Sequence, residues 1–150
     1  MPLMTTTLSP TDLLLSSFLL QILFTTLLGW LMLVPHQPWA KDNALAKKLR
    51  STHVTSAHVD WVILALMQAG AAVVLERVRM PLADARLVAR CLVYSGWAAP
   101  TTYFFKAFGI NGFRFDGRPT LQSLVGLVGF TATSVHTYAW IMIVRAWFGW

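Results

Sequence analysis

Four long stretches of apolar residues, separated by short polar connections, limit this 150-residue chain more than any other feature. A hydrocarbon layer about 30 Å thick takes roughly 20 residues of helix to cross. Leu13–Val34 supplies one such stretch without a charge and ends at Pro35 and Pro38, which stop a helix. A second runs from Ala57 to Leu75 and is followed by Glu76-Arg77-Val78-Arg79. A third runs from Leu82 to Phe105, with Arg86 and Arg90 in its first turns. A fourth runs from Leu121 to Phe148. Continuous Leu/Val/Ala runs fit helices and lack the alternation of a membrane β-strand. The expected fold is therefore all-α: one integral membrane domain over residues 1–150, a bundle of four transmembrane helices running up-down-up-down. The first stretch is expected to be a retained span, because no Lys or Arg precedes it and its apolar run exceeds a signal peptide's.

Composition agrees. Hydrophobic residues make up 56% and charged residues 12%, about half the charge of an ordinary soluble domain. Disorder is excluded by the apolar content, and a disulfide framework by the solitary Cys91. The net charge of +6 does not point to nucleic acid, because the 12 Lys and Arg sit mostly between apolar blocks, as membrane-flanking residues do. Five of them (Arg77, Arg79, Arg86, Arg90, Arg145) fall on the side of the N-terminus. Seven (Lys41, Lys47, Lys48, Arg50, Lys106, Arg114, Arg118) fall on the other, too small a bias to assign a cytoplasmic face. Arg114 and Arg118 read as loop charges able to meet a carboxylate or a propionate.

Ionisable residues inside a span are costly, so each is a functional candidate. His58 and Asp60 stand early in the second stretch, Arg90 in the third and His136 in the fourth. Tyr94, Ser95, Trp97 and Tyr103 add polar or aromatic groups to the third. At 1.5 Å per residue, His58, Asp60 and Tyr103 share a depth near one face, and His136 lies roughly 20 Å deeper. One haem held by both His58 and His136 is therefore awkward. Bland readings stand beside these: interfacial helix ends for His58 and Asp60, an aromatic belt for Tyr103 and the tryptophans, and snorkelling for Arg90 and Arg145. His136 sits at the end of a small-residue seam, Gly126, Gly129 and Thr133, and reads as a packed, hydrogen-bonded histidine. Gln21 and Gln68 are expected to bond across helices. Phosphate-loop, nucleophile-elbow and zinc-protease patterns are absent, and His53 and His58, five apart, do not share a helical face as a metal pair would.

Three stretches carry a resemblance: Ala57-His58-Val59-Asp60; Asp84-Ala85-Arg86-Leu87-Val88 leading to Ser95-Gly96-Trp97-Ala98; and Tyr103-Phe104-Phe105 before the glycine-rich loop Gly109 to Gly117. Over about its last two thirds the chain resembles the styrene oxide isomerase family, small four-helix membrane enzymes that bind haem b at the subunit contacts of a trimer. The resemblance implies His58 as the axial ligand of haem iron, with His53 as runner-up if a gap shifts the register. Trp97 would be a further cofactor contact, and Tyr103 would orient a small apolar epoxide or donate to its oxygen. Ferric haem would act as a Lewis acid, converting the epoxide to a carbonyl compound by a 1,2-hydride shift. The expected partners are haem, the lipid bilayer and further copies of the chain, in the bacterial cytoplasmic membrane. Two positions depart from the family. Its substrate-contacting asparagine falls on Leu64 and its aspartate before Gly-Trp-Ala on Ser95, leaving Asp60 and Ser95 as candidate replacements. Two other classes fit the same residues: a haem-binding electron-transfer or sensor protein with two axial ligands, and a haem-free structural or interaction protein.

Overall fold

The computed structural model describes residues 8–40, 42–49, 51–113 and 121–150, and every regular element among them is helical. Helix α1 spans Pro10–Leu33. Ser9 caps it by accepting from the Asp12 N–H at 3.0 Å, and Pro10 occupies the first position, where no N–H is needed. Pro35 and Pro38 then turn the chain through two short 3-10 turns, Val34–His36 and Pro38–Ala40. A six-residue helix, α2 (Ala44–Leu49), starts at Asn43, whose side chain accepts from the Leu45 and Ala46 N–H groups. Helices α3 (Thr52–Leu75), α4 (Leu82–Ala98), α5 (Thr101–Ala107) and α6 (Leu121–Phe148) complete the chain. Lys41, Arg50, Arg114, Arg118 and Gly117 lie outside the described residues.

Three helical stretches are long and apolar enough to cross a membrane: Pro10–His36, Thr52–Leu75 and Leu121–Phe148. Two boundaries differ from expectation. Because Ser51 caps α3 by accepting from the Val54 N–H, that helix begins five residues before Ala57. His58 and Asp60 thus lie about 9 and 12 Å inside the helix rather than in its first turn. The expected third span, 82 to 105, is not continuous. Pro100 lacks an N–H, and the chain breaks there into a 17-residue helix carrying Asp84, Arg86 and Arg90 and a 7-residue one.

Helix α1 packs along α3 and α4, α4 along α6, and α5 between α3 and α6. The seams are built from small residues. Ala71, Ala72, Ala89 and Ala139 surround Leu14, Val88, Leu92 and Ile143 in one cluster, while Ala57 joins Leu28, Val54 and Trp61 in a second. Without water to squeeze out, helices in lipid gain from close backbone approach, which small residues permit. The outer faces keep large apolar side chains exposed, including Leu19, Leu23, Leu27 and Trp30 on α1 and Leu124, Leu127 and Phe130 on α6. Such surfaces belong against acyl chains.

At mid-height two glutamines, expected to bond across helices, do so. Gln68 Nε2 donates to Gln21 Oε1 at 3.0 Å and to the Leu92 carbonyl at 3.3 Å, tying α3 to both α1 and α4. The amide orientations are forced, since a carbonyl can only accept. Both side chains are 1% exposed or less. Gly96 lies against them, and a Cβ at that position would run into Gln68 Nε2 and come within 3.0 Å of Gln21 Nε2. Gly96→Ala is expected to cost about 1–3 kcal/mol through overpacking. It should lower the thermal midpoint in detergent, and Gln68→Ala added to it should restore part of the loss. An unchanged midpoint for the single variant would contradict the packing described at this crossing.

Candidate functional site

The break between α4 and α5 frees backbone carbonyls that a continuous helix would use, and in a lipid environment each needs a new donor. Three side chains supply them. The Trp61 indole N–H donates to the Trp97 carbonyl at 3.2 Å, the Thr101 hydroxyl to Ala98 at 2.5 Å and the Thr102 hydroxyl to Ala99 at 2.9 Å. With its backbone satisfied, α5 leans on α6. There Gly129 admits Thr102 where any Cβ would collide with its methyl group. Gly112, in the loop after α5, also meets α6 closely, at Val125 and Gly126. The expected small-residue seam on α6 is therefore where α5 and its loop dock.

This docking forms a half-open cavity of about 380 Å3, lined by Asp60 from α3, Thr102 and Tyr103 from α5, Phe113 from the loop, and Phe130 and Thr133 from α6. Most of the lining is apolar. Among the described residues, the Asp60 carboxyl and the Tyr103 hydroxyl make no hydrogen bond or ion pair with the protein. The Tyr103 ring is held by Phe113, with centroids 5.0 Å apart. The Thr133 hydroxyl donates to the Gly129 carbonyl at 3.0 Å, which leaves its oxygen able only to accept. The cavity thus suits a small apolar molecule carrying one or two polar atoms.

The candidates from the sequence fall into separate groups. Asp60 and Tyr103 meet in the cavity. His58 does not. Positions two apart on a helix point about 200° from each other, and His58 faces α1, where a Cβ on Gly29 would lie 3.5 Å from its Cε1. Its Nδ1 is buried without a hydrogen-bond partner. His53 lies in the first turn of α3, about 7.5 Å toward the loop. Trp97 packs its ring near Phe24 and donates its indole N–H to Ser17 at 3.1 Å. Along α1 the two residues that meet Trp97, Ser17 and Phe24, lie twelve and five residues from Gly29, which is beside His58.

Ser95 is fully buried and lies outside the cavity, bonded to His136. The Trp140 indole donates to His136 Nε2 at 3.1 Å, so Nε2 must accept and Nδ1 must carry the proton. That N–H lies 2.9 Å from Ser95 Oγ, whose own hydroxyl donates to the Leu92 carbonyl at 3.1 Å. His136 is thereby a packed, hydrogen-bonded histidine with no free nitrogen. Thr102, Phe113 and Phe130 line the cavity without having been candidates. Pro100 inside an apolar block is the sequence signal that could have drawn attention to the break beside them. Compared with protein-family models, with curated proteins and with solved structures, the chain matches none.

The carbonyl cap at the break is testable. Trp61→Phe keeps the ring and removes the N–H, leaving the Trp97 carbonyl bare at an expected cost of about 1–3 kcal/mol. Hydrogen exchange at residues 99–102 should rise in that variant. Unaltered exchange there would show that the indole does not hold the break.

Proposed function

We propose that the chain is a four-helix membrane protein, with α4 and α5 together forming its third, broken span, and that it binds haem b through His58 and isomerises a small apolar epoxide to a carbonyl compound. The observation that carries this reading is the contrast between two half-buried histidines of the apolar helices. His136 has both ring nitrogens committed, whereas His58 holds a buried Nδ1 with no partner. An uncommitted imidazole in an apolar seam is costly for structure alone and is what an axial ligand requires. The same contrast counts against a two-histidine electron-transfer site within one chain.

When bound, haem supplies an open ferric position that acts as a Lewis acid toward an epoxide oxygen. The chain's own residues do the rest. Phe113 and Phe130 line the space that takes the apolar body of the substrate. Tyr103, with its hydroxyl unspent, donates to the oxygen and fixes which carbon faces the reacting position. Asp60, which lines the same cavity, serves as an acceptor, in the role that the Leu64 and Ser95 departures leave open.

Because His58 and the cavity lie on opposite sides of α3, haem on one chain would meet the cavity of a neighbouring chain. That arrangement accords with the trimer implied by the family resemblance and with the bacterial cytoplasmic membrane as its location. Detergent-purified protein should then show a stoichiometric Soret band that is lost in His58→Ala and kept in Tyr103→Phe. Aldehyde formation from an aryl epoxide should collapse in both variants. Co-expressing the two should restore activity to about a quarter of wild type, since random assembly places both intact groups at one interface in four. Absence of any Soret band under adequate haem supply would remove the haem reading. A lack of restoration in mixed oligomers that do form would overturn the shared site.

A further inference from the structure

A second cleft, of about 290 Å3, lies beside the cavity and is lined by Thr55, Ser56 and Val59 together with Asp60 and Tyr103. The two spaces thus share Asp60 and Tyr103 as their common wall. Thr55 and Val59, one turn apart near the N-terminal end of α3, are exposed, and Thr55 lies within two turns of the Ser51 cap. The cleft therefore opens toward the membrane–water boundary, and its mouth is hydroxylated.

We propose that this cleft is the entrance through which water and a small, weakly polar organic ligand reach the cavity, with Asp60 and Tyr103 forming the doorway. The proposal rests on the functional reading only in taking the cavity to receive a ligand. Its physical basis is a polar balance. A carboxyl and a phenol without protein partners inside a membrane helix bundle each cost several kcal/mol unless water or a ligand reaches them. The cavity alone offers them mostly apolar wall, while the cleft brings solvent to the same two groups. Tyr103 packs its ring against Phe113, and among the described residues its hydroxyl has no hydrogen-bond partner, so a passing ligand meets a donor that none of these residues engages. The other side of the cavity, at Phe130 and Thr133, is exposed on the same lipid-facing side of α6 as Leu127, which leaves the cleft as the way in from water.

Cys91 is the one cysteine of the chain, so accessibility can be read by thiol labelling in a Cys91→Ser background. The full-length protein in phosphatidylcholine vesicles carries Thr133→Cys in the cavity, or Leu127→Cys on the exposed face of α6 as a lipid-facing control. The probes are a sulfonate-bearing methanethiosulfonate, which does not partition into lipid, and a neutral maleimide. Thr133→Cys should react with the sulfonate reagent and Leu127→Cys should not. Adding Val59→Trp, a bulky residue at an exposed position of the cleft, should slow Thr133→Cys labelling by about tenfold or more, because access limits the rate. Val59→Ala should leave it unslowed. Labelling that ignores Val59→Trp, labelling by the neutral reagent alone, or no labelling at all would each overturn the entrance. These outcomes need neither haem nor turnover, so they stand apart from the isomerase reading. In a protein that does turn over an epoxide, Val59→Trp should raise KM and leave kcat near wild type.

Discussion

Gln68 stands where three helices cross, and one of its amide protons goes to Gln21 while the other goes to the Leu92 carbonyl. In lipid the helices feel no water-driven force toward one another, so a bond of this kind, in a region without competing solvent, sets their relative height. Moving α1 or α4 by one residue against α3 would break it and bury three polar groups unpaired. The height it sets decides what else can meet. It brings Ser95 level with His136 and the Trp97 indole level with Ser17, and it carries the break in the α4–α5 segment to the level of Trp61. The same crossing forbids a side chain at position 96, so the amide pair and the glycine are a single device.

The break at Pro100 follows from that placement. A proline in an apolar helix exposes carbonyls that lipid cannot satisfy, and it survives because Trp61 and two threonines lie within reach. The gain is geometric. Bent at Pro100, the chain turns α5 across α6 at Gly129, and Tyr103 lines the half-open space beside that contact. The polar groups of the bundle therefore divide by role. Gln21, Gln68, Ser95, His136 and Trp140 bond to one another or to the backbone, although Gln21 Nε2 and Gln68 Oε1 stay unpartnered, whereas among the described residues the side chains of His58, Asp60 and Tyr103 make no hydrogen bond.

The division between what was legible in the sequence and what was not runs along the same line. The helical class and three of the four long helices were readable, because a run of about 20 apolar residues has one low-energy conformation in lipid. The C-terminal end of α6 at Phe148 falls where the apolar run ends. The glutamine pair and the packed His136 were readable as types of interaction. The start of α3 was misplaced by five residues, because the first turns at a Ser51 cap are polar and do not look like a span. The third span was expected unbroken because its average hydrophobicity hides one missing N–H. Depth placed His58, Asp60 and Tyr103 together, but depth says nothing about rotation around the helix axis.

By itself, the sequence determined that this protein is a set of membrane-crossing helices whose few polar residues must each find a partner or a purpose, since apolar length and the cost of a buried polar group depend only on residue identity. Which polar residues found partners was decided by the tertiary structure. A hydrogen bond across helices needs matching height and matching rotation, and both come from the packing of small residues at the seams. That packing engaged Ser95 and His136 with each other, left His58 open toward α1, and turned Asp60 and Tyr103 into a shared cavity on the other side of α3.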